Sequence, residues 1–122
     1  MVAMIEHKSL DKADERREIP NGYVEICTIG EAVFGRAHFE PGWRWSESVG
    51  PIAGTKSCEV MHNGYIESGR LHVAMDDGTE VDLEPGEFFV CQPGHDAWVM
   101  GDEPCIAFDF SPQIAGYAKP PA

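Results

Sequence analysis

Cys58, His62 and His95 are the residues of this 122-residue chain whose types and placement best suit chemistry. The stretch 57–67 reads SCEVMHNGYIE, and in it Cys58, Val60, His62, Gly64 and Ile66 share one parity. That set is the less polar one, so a strand here turns Cys58 and His62 inward on a common face. His95 opens another stretch of strand character, 95–100, directly after a Pro93-Gly94 turn. Two imidazoles and one thiolate form a ligand set for zinc, iron or copper, with one position left open for water or substrate. Histidine also changes charge near neutral pH, which suits it to acid–base work. Each histidine has a plainer reading as a hydrogen-bonded core residue, and both readings stand at this point. His38 and His72 fall on polar faces, and His7 lies in a charged N-terminal stretch.

Aromatic residues supply a candidate pocket. Trp43-Arg44-Trp45 follows a Pro41-Gly42 turn. The tryptophans fit either a core or a pocket rim, with Arg44 available to an anion or an aromatic face. Trp98 and Tyr65 are candidates for the same mouth, although the parity of Trp98, opposite to that of His95, also fits packing beneath the sheet. Lys56 is a candidate partner for a substrate carboxylate, or else a solvated loop residue. It ends the segment 46–56, which has no strand pattern and reads as a long loop, either a lid or plain surface.

The elements that must position these groups are short strands. Leu71, Val73 and Met75 alternate with polar residues, as do Val81 and Leu83. Such period-two patterning marks half-buried strands. Turn residues punctuate it at Asp77-Gly78, Pro85-Gly86 and Pro93-Gly94. Further strands are predicted over 23–29, 32–40, 57–67 and 105–110. Strands at this spacing indicate an antiparallel sandwich or barrel. Residues 1–21 read as a polar N-terminal arm, solvated or paired with a neighbouring subunit. Residues 22–112 read as one barrel domain, and 113–122 as a loosely held tail.

Composition narrows the function. A formal net charge of −12 repels phosphate backbones, so nucleic acid is not an expected partner. No run of apolar residues is long enough to span a membrane, and the N-terminus has no secretory pattern, which points to the cytoplasm. The four cysteines are widely spaced and form no C-x-x-C pair, which argues against a zinc ribbon, and the cytoplasmic setting argues against disulfides. Cys27, Cys91 and Cys105 read as small buried hydrophobes.

The strand pattern with the punctuation G…E-P-G-E…Q-P-G resembles the cupin superfamily over about residues 24–112. Runs such as GWRWSE, PIAGT, SGRLHV and PGHDAW look like a subgroup of short bacterial cupins. The resemblance implies an all-β fold, a jelly roll or double-stranded β-helix barrel of about eight antiparallel strands. The family's second motif is G-x5-P-x-G-x2-H-x3-N. Gly86 and Gly94 match its glycines, while Gln92 stands at the proline, Ala97 at the histidine and Gly101 at the asparagine. In the first motif, G-x5-H-x-H-x3,4-E-x6-G, Gly69 matches the closing glycine and His62 takes the glutamate position. The two motif histidines fall at Lys56 and Cys58, or at Thr55 and Ser57. None of the family's four metal ligands is therefore kept in place. A different set is implied: His62 from the glutamate position, His95 two residues before Ala97 and so on the same inward face, and Cys58.

Two functions follow as expectations. One is a barrel holding a divalent transition metal (zinc, iron, nickel, copper or manganese) and a small molecule, of oxygenase or isomerase type if catalytic. The other is a metal-free barrel that binds or senses a small ligand. A homodimer is expected in either case, since an open sheet edge and a free arm invite isologous pairing.

Overall fold

The computed structural model describes residues 4–120. Nine strands form two sheets: β1 (Glu15–Ile19), β2 (Gly22–Ile29), β3 (Ala32–Phe39), β4 (His62–Ser68), β5 (Arg70–Met75), β6 (Glu80–Leu83), β7 (Phe88–Cys91), β8 (His95–Met100) and β9 (Cys105–Asp109). The larger sheet has the order β1-β2-β3-β9-β4-β7 and the smaller one β6-β5-β8. All pairings are antiparallel. The core lies between the sheets. Val24, Ile26, Ile66 and Ala107 enter it from one side, and Leu71, Val73, Ala97 and Val99 from the other. This is an antiparallel barrel of the kind expected from the strand spacing, and the jelly roll that the resemblance implies, with nine strands in place of eight.

The extra strand is β1, inside the stretch read as an arm. It pairs with β2 of the same chain, Glu15 opposite Ile26 and Ile19 opposite Gly22. Its sequence, ERREI, is so charged that the strand signal is hidden, yet Arg17 and Ile19 are buried while Glu15, Arg16 and Glu18 face outward. Residues 1–3 of that arm, and 121–122 of the tail, lie outside the described residues.

Two further segments differ from expectation. The loop 46–56 holds two short helices, α1 (Trp45–Ser48) and α2 (Gly50–Ala53). Proline sits in the first turn of α2, where its missing N–H costs nothing. The strand predicted over 57–67 begins only at His62, and residues 57–61 are irregular except for a single bridge from Cys58 to His95. The tail is also anchored. A 3-10 helix, Pro112–Gly116, buries Ile114, and Tyr117 beyond it is buried as well.

The β4–β5 hairpin turns at Gly69, whose φ of +73° favours glycine. A Cβ there would also collide with the Pro104 carbonyl. No helix among the described residues is long and apolar enough to cross a membrane.

Candidate metal centre and cavity

One donor atom each from Cys58, His62 and His95 lies within 4.8 Å of the other two. Strand pairing explains the convergence. His62 opens β4 and stands opposite Cys91 of β7. His95 opens β8, where the pattern His95, Ala97, Val99 faces inward. Cys58 is on no strand. Its N–H donates to the His95 carbonyl at 2.8 Å, and its own carbonyl accepts from Gly94 at 2.7 Å. These bonds hold the thiol beside the imidazoles without a continuous pleat.

The two histidines are oriented alike. His62 Nδ1 is 2.6 Å from Asp109 Oδ2. The carboxylate accepts, so Nδ1 carries a proton, and in the neutral ring Nε2 presents a lone pair. The Cys58 Sγ lies 3.5 Å from that Nε2. His95 Nδ1 is 2.8 Å from the Gln92 carbonyl, which can only accept. Nε2 of His95 is therefore also unprotonated in the neutral ring. Burial, above all, holds His95 below its ordinary pKa, which favours that neutral form. An imidazole fixed through one nitrogen by a carboxylate or a backbone carbonyl is the arrangement that metal-binding histidines adopt.

Asp109 is itself held in place. It ends β9, pairs in register with Gly64 of β4, and accepts from the Ser111 N–H at 2.8 Å. Cys91 lies 3.3 Å from His95 Nδ1, on the side away from Nε2. Burial pushes the thiols up, Cys58 to about 12 and Cys91 to about 11. Neither is a thiolate at neutral pH unless a cation stands beside it.

The donor set fits a tetrahedral metal. Bond lengths of about 2.0–2.3 Å place neighbouring ligand atoms about 3.5 Å apart. The Cys58–His62 separation already has that value, and all three donor atoms lie within 4.8 Å of one another. With three protein ligands, one position is left for water or substrate.

Beside these groups is a cavity of about 70 Å³. His62, His95 and Cys91 line it together with Trp43, Trp45 and Tyr117. Among the described residues no lysine or arginine lines it, and Asp109 is the only acidic one that does. Trp43 and Trp45 are each 2% exposed and turn inward, and Trp43 stacks on Phe39 at 3.8 Å between ring centroids. Arg44 between them faces out, its guanidinium 4.1 Å over the Trp98 ring and its Nε 3.4 Å from Asp96. Tyr117 closes the cavity edge-on to His62, at 5.4 Å between ring centroids.

Three expected pocket residues lie elsewhere. Trp98 is on the outer face of β8, stacked against His72 at 4.5 Å. Tyr65 packs on Phe88 outside the barrel. Lys56 is exposed. In-sequence neighbours on a strand point apart, which sends Trp98 and Tyr65 to the face opposite His95 and Gly64. Asp96 likewise turns outward and caps the Ser46 N–H at 3.0 Å, so it does not orient a histidine. Asp109, Cys91 and Tyr117 are site residues that sequence reasoning missed. The parity of Cys105, Ala107 and Asp109 marks Asp109 as inward; for Tyr117 no periodic signal exists.

No family model matches this sequence, and no curated protein matches it. Solved structures do. A protein of unknown function (DUF1255) from Acidithiobacillus ferrooxidans superposes with a TM-score of 0.59 at 15% identity, over 81% of this chain and 88% of that one. A sugar phosphate isomerase of the cupin superfamily from Silicibacter pomeroyi gives 0.61 at 18% identity, over 85% and 73%. The chain has the cupin fold. KdgF from Halomonas sp. is a further similar structure, with a TM-score of 0.56 at 19% identity, over 80% and 87%. In this cupin barrel Ala97, where the motif that the sequence resembles has a histidine, is buried and lines the cavity, while His95 faces inward from the same strand.

Proposed function

We propose that this cupin barrel binds a divalent transition metal through His62, His95 and Cys58 and takes a small molecule into the adjoining cavity, as a metal-dependent enzyme of oxygenase or isomerase type. The observation that carries this reading is the paired orientation of the imidazoles. Each donates Nδ1–H to a fixed acceptor, and each is left with a lone pair on Nε2. Two nitrogens and a sulfur suit zinc, copper or iron better than manganese. A bound divalent ion supplies Lewis acidity and lowers the pKa of a water in its open position. The chain supplies the rest. Asp109 and the Gln92 carbonyl hold the imidazoles, Cys58 adds a soft donor, and Tyr117 with Ile114 covers the cavity.

A sugar phosphate is a poor candidate substrate here. No cationic side chain among the described residues lines the cavity, and about 70 Å³ is small for a phosphorylated sugar. Metal analysis of untagged protein, purified without chelator, tests the reading. About one equivalent per chain, lost in both His62→Ala and His95→Ala, is expected. Metal-free protein from metal-replete growth would overturn it.

The second reading is a metal-free ligand-binding barrel. It is favoured by the Cys58 thiol, which burial pushes up to about 12 and thus keeps protonated. That reading expects a melting temperature indifferent to chelator.

For partners, we propose a cytoplasmic homodimer. β7 is one of the two edge strands of the larger sheet, and its outward residues Phe88 and Val90 are 77% and 67% exposed. Apolar side chains on an open edge call for a covering partner.

A further inference from the structure

Trp43 and Trp45 carry the two buried side-chain polar atoms that find no hydrogen-bond partner among the described residues: both are the indole Nε1. Both rings line the same cavity. A buried donor without an acceptor is costly, and native structures nearly always serve it with protein, water or ligand. Here two such donors stand beside one space. The local fold makes this arrangement specific. Residues 43 and 45 share a parity and turn in, while Arg44 bridges to Trp98 of β8 on the outer face. Trp43 is fixed by its stack on Phe39 and by the Val99 N–H donating to its carbonyl at 3.1 Å. The Trp45 ring rests on Gly50, where a Cβ would already stand at 3.3 Å. Both rings are buried, and neither N–H reaches solvent.

The remaining lining decides what kind of acceptor fits. Most of it is aliphatic or aromatic; Asp109 is its only acidic side chain and is paired with His62, and no lysine or arginine lines it. In the metal-free barrel a carboxylate or phosphate ligand would be buried beside an aspartate, with no lysine or arginine to meet it, in a chain of net charge −12. A neutral oxygen acceptor meets the indoles without that cost. The cavity of about 70 Å³ has space for about five water-sized groups.

We infer that the cavity binds a small uncharged carbonyl compound, such as a ketone, aldehyde, ester or amide, whose oxygen accepts the indole N–H groups of Trp43 and Trp45 while its apolar body lies against Val24, Leu71 and Val73. This rests on the reading of the cavity as a ligand site and is independent of whether a metal is held.

Nuclear magnetic resonance on the full chain tests it, with the indole N–H signals assigned from Trp43→Phe and Trp45→Phe. Three isosteric probes are titrated: butanone, 2-methyl-1-butene and propionate. Butanone is expected to move both indole N–H signals downfield and to slow their exchange with solvent. The alkene, which cannot accept a hydrogen bond, and the anion are expected to leave them in place. Each Phe variant should weaken butanone binding roughly three- to tenfold, the worth of one neutral hydrogen bond. Indole signals that ignore butanone at saturation, that respond equally to the alkene, or that respond best to propionate overturn the inference. Signals set by ordered water alone, unchanged by any probe, overturn it as well. The titration is run on chelator-treated protein and again after adding zinc. Ketone-induced shifts without zinc uptake keep this inference and remove the metal reading. Zinc uptake with silent indoles does the reverse.

Discussion

The Arg17 guanidinium, on the first strand, donates to the backbone carbonyl of Tyr117, in the last segment of the chain. The same side chain donates to the Ala115 carbonyl at 2.7 Å and pairs with Glu15 at 2.6 Å. Arg17 is only 9% exposed. The charged head thus fastens the segment that covers the cavity, and Tyr117 reaches His62 because of it.

Arg17→Met keeps the apolar stem and removes the donors. The variant is expected to lose roughly 1.5–3 kcal/mol of stability, the range for a hydrogen bond to a charged group. Amide exchange over residues 112–118 should rise with it. Unchanged protection there would show that the tail is held by Ile114 and Tyr117 packing alone.

Asp109→Asn tests the orientation of His62. The asparagine amide offers a donor to Nδ1, which favours the tautomer with its proton on Nε2, pointing at the metal position. Metal affinity is expected to fall roughly 10–100-fold, as it does when such supporting carboxylates are lost. Competition with a chromophoric chelator measures it, and equal affinity would remove Asp109 from the site.

His72 sits between Glu80 at 2.7 Å and Asp82 at 2.6 Å, and these carboxylates, Glu80 first, raise its pKa above the ordinary 6.5. A raised folded pKa gives stability that is fully present below about pH 6.5 and is lost as pH rises through the folded value. His72→Gln should therefore lose less stability than the parent between mildly acidic and alkaline pH. Denaturant melts across that range check the sign. Parallel pH curves for the two proteins would refute the assignment.

The thiols give a second pH signature. Burial pushes Cys58 and Cys105 up to about 12 and Cys91 up to about 11, from an ordinary 9.0. The folded chain keeps protons that the unfolded chain releases above pH 9, so metal-free protein is expected to lose stability as pH climbs from 9 toward 11. At pH 8, Cys91, the half-buried one of the three, should alkylate before Cys58 and Cys105. Rapid modification of Cys58 in metal-free protein would contradict its enclosure.

Phe88→Asp addresses the proposed dimer. The side chain is 77% exposed on the edge strand β7, so the fold should tolerate the change. Sedimentation at micromolar concentration is expected to show a dimer for the parent and a monomer for the variant. A parent that is monomeric already would end the proposal.

Strand parity carried most of the fold. Leu71 and Val73 are buried with His72 between them facing out, and His95, Ala97 and Val99 alternate with outward partners, as the sequence pattern requires. The same rule placed His62 and His95 on the cavity. It failed where the chain leaves the pleat. Parity put Cys58 inward, as found, but on a strand that begins only at His62; two backbone bonds to Gly94 and His95 hold it at the site instead. The helices α1 and α2 are single turns with too few residues for a periodic signal. Tyr117 is buried by contacts with a strand about one hundred residues earlier, and β1 is concealed by its own charge.

Ala97, where the motif that the sequence resembles has a histidine, shows how this barrel uses its space. An imidazole at that position would fill part of the cavity that Ala97 lines, and the methyl group leaves it open. Placing the histidine at 95 moves the donor by one pleat period, about 6.8 Å along β8, toward the Gly94 turn. The reactive groups and the room for a ligand are thereby set side by side along one strand, with neither displacing the other. Ala97→His would exchange one for the other, restoring a donor deeper in the barrel at the expense of the volume that gives a substrate somewhere to sit.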